Sequence, residues 1–199
     1  MSLSDRPEKI DKTAIMELLK KAEKWQAKGE YGKVITILKN EILPLDTTNI
    51  FALYNIGLAY SELGQQGEAL KYYDEALKNN PGFAMALGGK AILLADMNQL
   101  SASKVAFDKL IQIEPHNPAR WCDRGILLFK MGHYEDSLSS FVKSLELDAS
   151  NPDCWVYQGI VLGELKRYGE AKEAYNKALK INPHHYQALN NLKAISEIT

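Results

Sequence analysis

Residues 154 to 163 read CWVYQGIVLG, an almost unbroken apolar run with one glycine inside it and another at its end. Valine, isoleucine and tyrosine favour a strand, and a glycine in mid-helix costs about 1 kcal/mol against alanine. Taken alone, the run reads as a buried strand. Its surroundings change that reading. It lies within PDCWVYQGIVLGELKRYGEAKEAYNKALKINPHH (152 to 185), which aligns without gaps, at a period of 34 residues, with segments 50 to 83, 84 to 117 and 118 to 151. Residues 15 to 49 follow the same pattern with one residue extra near Pro44, where the second helix is expected to end early. A fixed period of this length marks a stack of supersecondary units, here five of them.

Each unit reads as two amphipathic helices joined by a tight turn. Asn117 before Pro118 and Asn151 before Pro152 place a capping side chain ahead of a proline suited to the first helical position. Gly64 and Gly132 fall about fourteen residues into their units, where a left-handed residue closes the first helix. Pro81, Pro115 and Pro183 then stop the second helix from running on.

On these residues the chain resembles the tetratricopeptide repeat (TPR) proteins over residues 15 to 185. Position 4 of the unit, large in that family, is Trp121 and Trp155, with Leu18, Leu53 and Leu87 elsewhere. Position 8, small in the family, is Gly57, Gly125 and Gly159, with Ala22 and Ala91. The small and aromatic pair of the second helix is Ala69 with Tyr73, Ser103 with Phe107, Ser137 with Phe141, and Ala171 with Tyr175. Position 27 is Ala76, Ser144 and Ala178. The pattern breaks at position 7, often leucine in the family and here Lys21, Lys90, Arg124 and Gln158, and at Leu38, Glu41 and Leu110.

The resemblance implies an all-α, right-handed superhelical solenoid of stacked antiparallel helix pairs. Its expected parts are a polar arm or helix extension (1 to 14), repeats at 15 to 49, 50 to 83, 84 to 117, 118 to 151 and 152 to 185, and a capping helix (186 to 199). No single pair buries its apolar faces alone, so each stacks on its neighbours. Gly159 is expected where the two helices of its unit approach closely, with Trp155 filling the core beside it.

The 199 residues are 46% hydrophobic and 25% charged, an ordinary globular balance. A formal net charge of -1 leaves no positive surplus for a phosphate backbone or an acidic bilayer, so neither nucleic acid nor membrane is an expected partner. The N-terminal stretch lacks the apolar segment of a secretory signal and no run reaches the roughly 18 residues of a spanning helix, so the expected compartment is the cytosol.

Chemistry is not expected. No nucleophile, acid/base pair or metal set converges in the pattern. His184 and His185 are neighbours after Pro183 and read, with His116 and His133, as solvated surface residues; Cys122 and Cys154 have no metal-ligand spacing and read as small hydrophobes. No catalytic residue, cofactor or metal is assigned, and the chain reads as a non-enzyme.

In TPR proteins positions 2, 5, 9, 12 and 13 of the first helices face a partner in a concave groove. The resemblance places Phe51, Tyr54, Leu58, Met85, Ile92, Cys122, Ile126, Phe129, Val156 and Ile160 there, with Asn55 as a polar donor among them. The groove is therefore expected to take an apolar or amphipathic segment of a partner protein. The family's lysine and asparagine clamp for the C-terminal carboxylate of heat-shock chaperones would need cations or amides where this chain has Leu19, Glu23, Met85 and Gly89; only Asn55 fits, so that ligand is not expected. The alternative is a self-associating protein, a homodimer formed through the groove or the ends of the stack.

Overall fold

The structure, a computed structural model, describes residues 12–197. Of the expected polar arm or helix extension (1 to 14), residues 1–11 lie outside the described residues, and residues 12–14 belong to the first helix. Among the described residues there are eleven α-helices and no strand. The chain divides into two compact units, Met1–Leu93 and Leu94–Thr199, with the boundary inside one helix.

The first unit holds α1 (Lys12–Gln26), α2 (Tyr31–Ile37), α3 (Ile50–Glu62), α4 (Gln66–Asn79) and most of α5 (Ala84–Asp96). Helices α1 and α2 pack as a pair, as do α3 and α4, and α2 also packs on α3. The extra residue near Pro44 is absorbed within the second helix. After Ile37 the helix widens into a π-turn over Leu38–Ile42, where the Leu43 amide donates to the Leu38 carbonyl at 3.0 Å. Such a turn holds one more residue than an α-turn. Glu41, which the unbroken register would place in the core, is exposed, and Ile42 is fully buried in its stead. The helix stops there, early as expected.

The second unit continues with α6 (Leu100–Ile113), α7 (Pro118–Lys130), α8 (Tyr134–Leu147), α9 (Pro152–Glu164), α10 (Tyr168–Ile181) and α11 (Tyr186–Ser196). Each packs on the next, and the alternate helices α7, α9 and α11 also touch in sequence, so one core runs along the unit. The apolar run at 154–163 lies in α9. A Cβ built on Gly159 would stand 2.5 Å from Cε1 of the buried Tyr175 on α10, far inside a normal carbon contact. Gly125 meets Phe141, and Gly57 meets Tyr73, in the same way. The missing side chain is what allows the aromatic ring of the second helix to lie on the first.

Helix ends follow the sequence. Asn117 Oδ1 accepts from the Ala119 amide at 3.1 Å and Asn151 Oδ1 from the Asp153 amide at 2.9 Å. Gly64 and Gly132 have φ of +71° and +77°. At the equivalent turns Asn98 and Lys166 take φ of 58° and 60° without being glycine, which for lysine is the more costly choice.

Two expectations are corrected. Trp155 packs against the core of its unit without being enclosed in it: it is half-buried, its Nε1 donates to the Ala149 carbonyl at 2.9 Å, and Lys177 Nζ sits 4.4 Å from the ring centroid. Trp121 reaches the Pro115 carbonyl in the same way at 2.9 Å. An indole is too long for the place leucine fills and carries a donor that needs a partner, so both rings lie back along the loop before their helix. Nor is His185 a solvated loop residue. It is the N-cap of α11, where Nδ1 accepts from the Ala188 amide at 3.3 Å and Nε2 donates to Asp153 Oδ1 at 2.8 Å. It stands where the two preceding units have Asn117 and Asn151, and its ring does their work.

Candidate functional site

The first unit has a cleft of about 500 Å³ lined by Glu23, Gln26 and Ala27 of α1, Tyr31 of α2, Tyr54, Asn55 and Leu58 of α3, and Met85 of α5. Four of the residues assigned to the groove from the sequence, Tyr54, Asn55, Leu58 and Met85, thus come together. Phe51 and Ile92 are not among its lining residues, but both are about half exposed at 47%. The wall is firm. The Tyr54 ring lies 6.0 Å from Tyr73 and meets Phe83 edge-on at 5.8 Å, and Phe51 meets Phe83 edge-on at 5.3 Å. Such pairs fix side-chain direction as well as burying area. Burial, with Tyr54 and Glu62 nearby, pushes the Tyr73 hydroxyl well above the usual tyrosine range, so this ring stays neutral.

In the second unit the assigned residues divide. Ile126, Phe129 and Ile160 are half-buried and pack against the core cluster with part of each face exposed. Val156 and Cys122 are not groove residues: at 0% and 6% exposure both belong to that core. The stripe of α9 that carries Val156 faces its neighbours rather than solvent, because adjacent first helices also touch one another. Ile160 lines a smaller hollow of about 330 Å³ with Tyr168, Tyr175 and Asn191. Burial pushes the Tyr175 hydroxyl there up to about 12.

The cysteines are buried and free. Hydrogen bonding to Cys154, and then burial, pushes the Cys122 thiol far above its ordinary value, so it carries no thiolate at neutral pH. Cys154 Sγ donates in turn to Ser144 Oγ at 3.4 Å, and Ser144 Oγ to the Pro118 carbonyl at 2.8 Å. Among the described residues no group of three or more His, Cys, Asp or Glu is placed to hold a metal ion, and no helix is long and apolar enough to cross a membrane.

A cleft that the sequence did not suggest lies among α8, α9 and α10. About 330 Å³ in volume, it has Leu138, Val142, Leu145, Trp155 and Leu162 among its apolar walls, and Glu146, Gln158, Arg167, Glu170, Glu173 and Lys177 among its polar ones. The signal for it was present in the register. Position 7 of one unit meets position 25 of the unit before, as Lys90 with Asp74 at 2.5 Å and Arg124 with Asp108 at 2.8 Å. At the next step the same places hold Gln158 and Val142, no ion pair closes the seam, and both residues line the opening.

Models of the tetratricopeptide repeat match residues 50–83, 119–151 and 152–185, about half of the chain. The Photosystem I assembly protein Ycf3 of Chaetosphaeridium globosum is 31% identical over 102 residues, covering 49% of this chain and 54% of that protein. The uncharacterized protein ycf37 of Pyropia yezoensis is 31% identical over 99 residues, covering 46% and 56%. The chain thus spans about half the length of the curated relatives it matches. Among solved structures, pilF of Pseudomonas aeruginosa superposes with a TM-score of 0.83 at 15% identity over 92% of this chain and 82% of its own. MamA of Desulfovibrio magneticus RS-1 gives 0.78 at 17% over 89% and 99%, and YrrB, described as a TPR protein with an unusual peptide-binding site, gives 0.74 at 20% over 94% and 100%. At these identities the structures speak for the fold alone. Repeat models in three units, in the register that the paired helices and their glycine-to-aromatic contacts display, show that the chain belongs to the tetratricopeptide repeat family.

Proposed function

We propose that the protein is a non-enzymatic scaffold that docks an apolar or amphipathic segment of a partner protein on its first helices, chiefly in the cleft of the first unit. It would do so on repeats bounded at residues 15, 50, 84, 118 and 152, with 186–199 as a cap. Tyr54, Leu58 and Met85 would anchor the segment, Phe51 and Ile92 would extend the apolar surface beyond the cleft, and Asn55 would donate to the ligand backbone. Ile126, Phe129 and Ile160 would offer a second, shallower surface.

The observation that carries this reading is the cleft itself, with four groove residues lining one hollow of about 500 Å³. Burying an anchor of this kind contributes about 1.5 to 3 kcal/mol, so three or four, less the cost of ordering, are enough for micromolar affinity. The Chaetosphaeridium globosum relative is named for assembling photosystem I, which supports work on protein partners. Replacing Leu58 and Ile126 by glutamate should abolish capture of partner proteins from the source lysate with helicity unchanged. Undiminished capture would overturn the assignment.

One observation favours a second reading, self-association through the end of the stack: on α11 Tyr186 is 77% exposed and Leu189 45%. Light scattering across a concentration series tests it, and a monomer at every concentration would exclude it.

A further inference from the structure

We infer that the first-unit cleft selects a segment in which a lysine or arginine stands beside the apolar anchor. The inference rests on the docking reading above and adds the charge of the partner. Among the eight residues lining the cleft, Glu23 is the only one with a carboxyl group, and no lysine, arginine or histidine lines it. Among the described residues Glu23 makes no ion pair. Lys90 pairs with Asp74, Lys33 with Glu30, and Lys21 lies over the Trp25 ring, while Lys20 and Lys24, the neighbours of Glu23 on α1, are not among the residues that line the cleft. Beyond the wall the Tyr31 hydroxyl donates to a second carboxylate, Glu62, at 3.4 Å. One carboxylate, Glu23, therefore stands at a hollow whose other faces include Tyr54, Leu58, Met85 and Ala27, with Glu62 outside the lining behind Tyr31.

A ligand that covers this hollow takes water from Glu23. With only apolar groups opposite, the carboxylate loses hydration and gains nothing; with a ligand carboxylate it is also repelled. A cation set beside the anchor restores the lost interaction. The amides of Gln26 and Asn55 remain for the ligand's peptide groups. The occupant that fits is thus a short basic and apolar segment of another protein.

The test is a displayed library of random 16-residue peptides, panned on the whole protein, with the enriched sequences then synthesised and titrated against three proteins: the parent, Glu23→Gln and Leu58→Glu. We expect enriched peptides to carry lysine or arginine next to a large apolar residue. Their affinity should fall about 2- to 5-fold in Glu23→Gln, the range of a solvent-facing ion pair, and be lost in Leu58→Glu. A library panned on Glu23→Lys should enrich acidic residues instead. Enriched peptides that need Leu58 but show no charge preference overturn the inference and leave the docking reading standing. No enrichment at all overturns both. A dimer that dissociates in Leu58→Glu would show that a second copy fills the cleft, which also overturns the inference.

Discussion

Replacing Gly159 by alanine should destabilise the protein, and replacing Gly163, four residues on in the same helix, should stabilise it. Helix propensity treats the two alike, at about 1 kcal/mol in favour of alanine for a helix interior. Their surroundings differ. The new methyl at 159 would lie 2.5, 2.8 and 2.9 Å from Cε1, Cδ1 and Cζ of Tyr175, whose ring is 3% exposed. Carbon contacts settle near 3.5 to 4.0 Å, so about 1 Å must be found by moving a buried aromatic ring or parting α9 from α10. Overpacking of this kind costs about 1 to 3 kcal/mol, which outweighs the gain and leaves a net loss of about 1 kcal/mol, more if the helices cannot part. At 163 the nearest heavy atom is Ile195 Cδ1 at 4.0 Å, an ordinary contact, so the propensity gain survives, reduced by closeness to the helix end. Thermal melts followed by circular dichroism should place Gly159→Ala about 2 to 4 °C below the parent and Gly163→Ala 1 to 3 °C above it, at roughly 2 to 4 °C per kcal/mol for a chain of this size. In a Tyr175→Leu background the penalty at 159 should vanish. Shifts of the same sign at both sites would refute the argument that helix contact, not propensity, sets these glycines.

His185→Ala should cost about 1 kcal/mol by removing the cap of α11, and His185→Asn should recover most of it, since Asn117 and Asn151 cap the equivalent helices; urea titration distinguishes the two. Asp108 is opposed by burial, yet Lys104 and Arg124 hold its carboxyl below the ordinary range. Its contribution is therefore present above the ordinary carboxylate pKa and lost as pH falls through the lowered one. Asp108→Asn should be less stable than the parent by up to about 1 kcal/mol at pH 7, with the difference closing in acid. Asp123 behaves oppositely: burial raises its carboxyl, with Arg120 only partly opposing. Asp123→Asn should thus be more stable than the parent at neutral pH, and the gain should fade as the parent's carboxyl is protonated, between its raised pKa and the ordinary value. A constant difference across pH would refute either assignment.

The paired helices, their caps and the close approach at Gly159 were legible because each follows from local chemistry repeated at a fixed period. A side chain that recurs every 34 residues must do the same thing each time, and Gly57, Gly125 and Gly159 do. What failed to read was the face of a residue at a place where the partner changes. Val156 occupies a groove position by register but is buried, because α9 also touches α7 and α11. Trp155 occupies a core position by register, yet it only packs against the core, half-buried, with its indole N–H turned to the loop. Position within the unit fixes the direction of the Cα–Cβ bond; size and the neighbouring unit decide what that direction meets.

The same logic makes the departures from the repeat the more informative residues. A lysine at position 7 looks like a fault in the pattern when the unit is read alone. Read with the unit before it, Lys90 answers Asp74, and Arg124 answers Asp108 while its Nη1 also donates to Ser140 Oγ at 2.8 Å. The two steps have exchanged an apolar seam for a charged one, each change carrying its partner with it. At the third step neither place holds a charge: Gln158 and Val142 stand there, and both line an opening. A solenoid's stability is nearly the sum of its units and the contacts between neighbours, so one seam can be left open without unravelling the others. That local independence is what lets a repeat protein place a cleft of mixed charge at one step of its stack and one with a single carboxylate at another, on an otherwise constant frame.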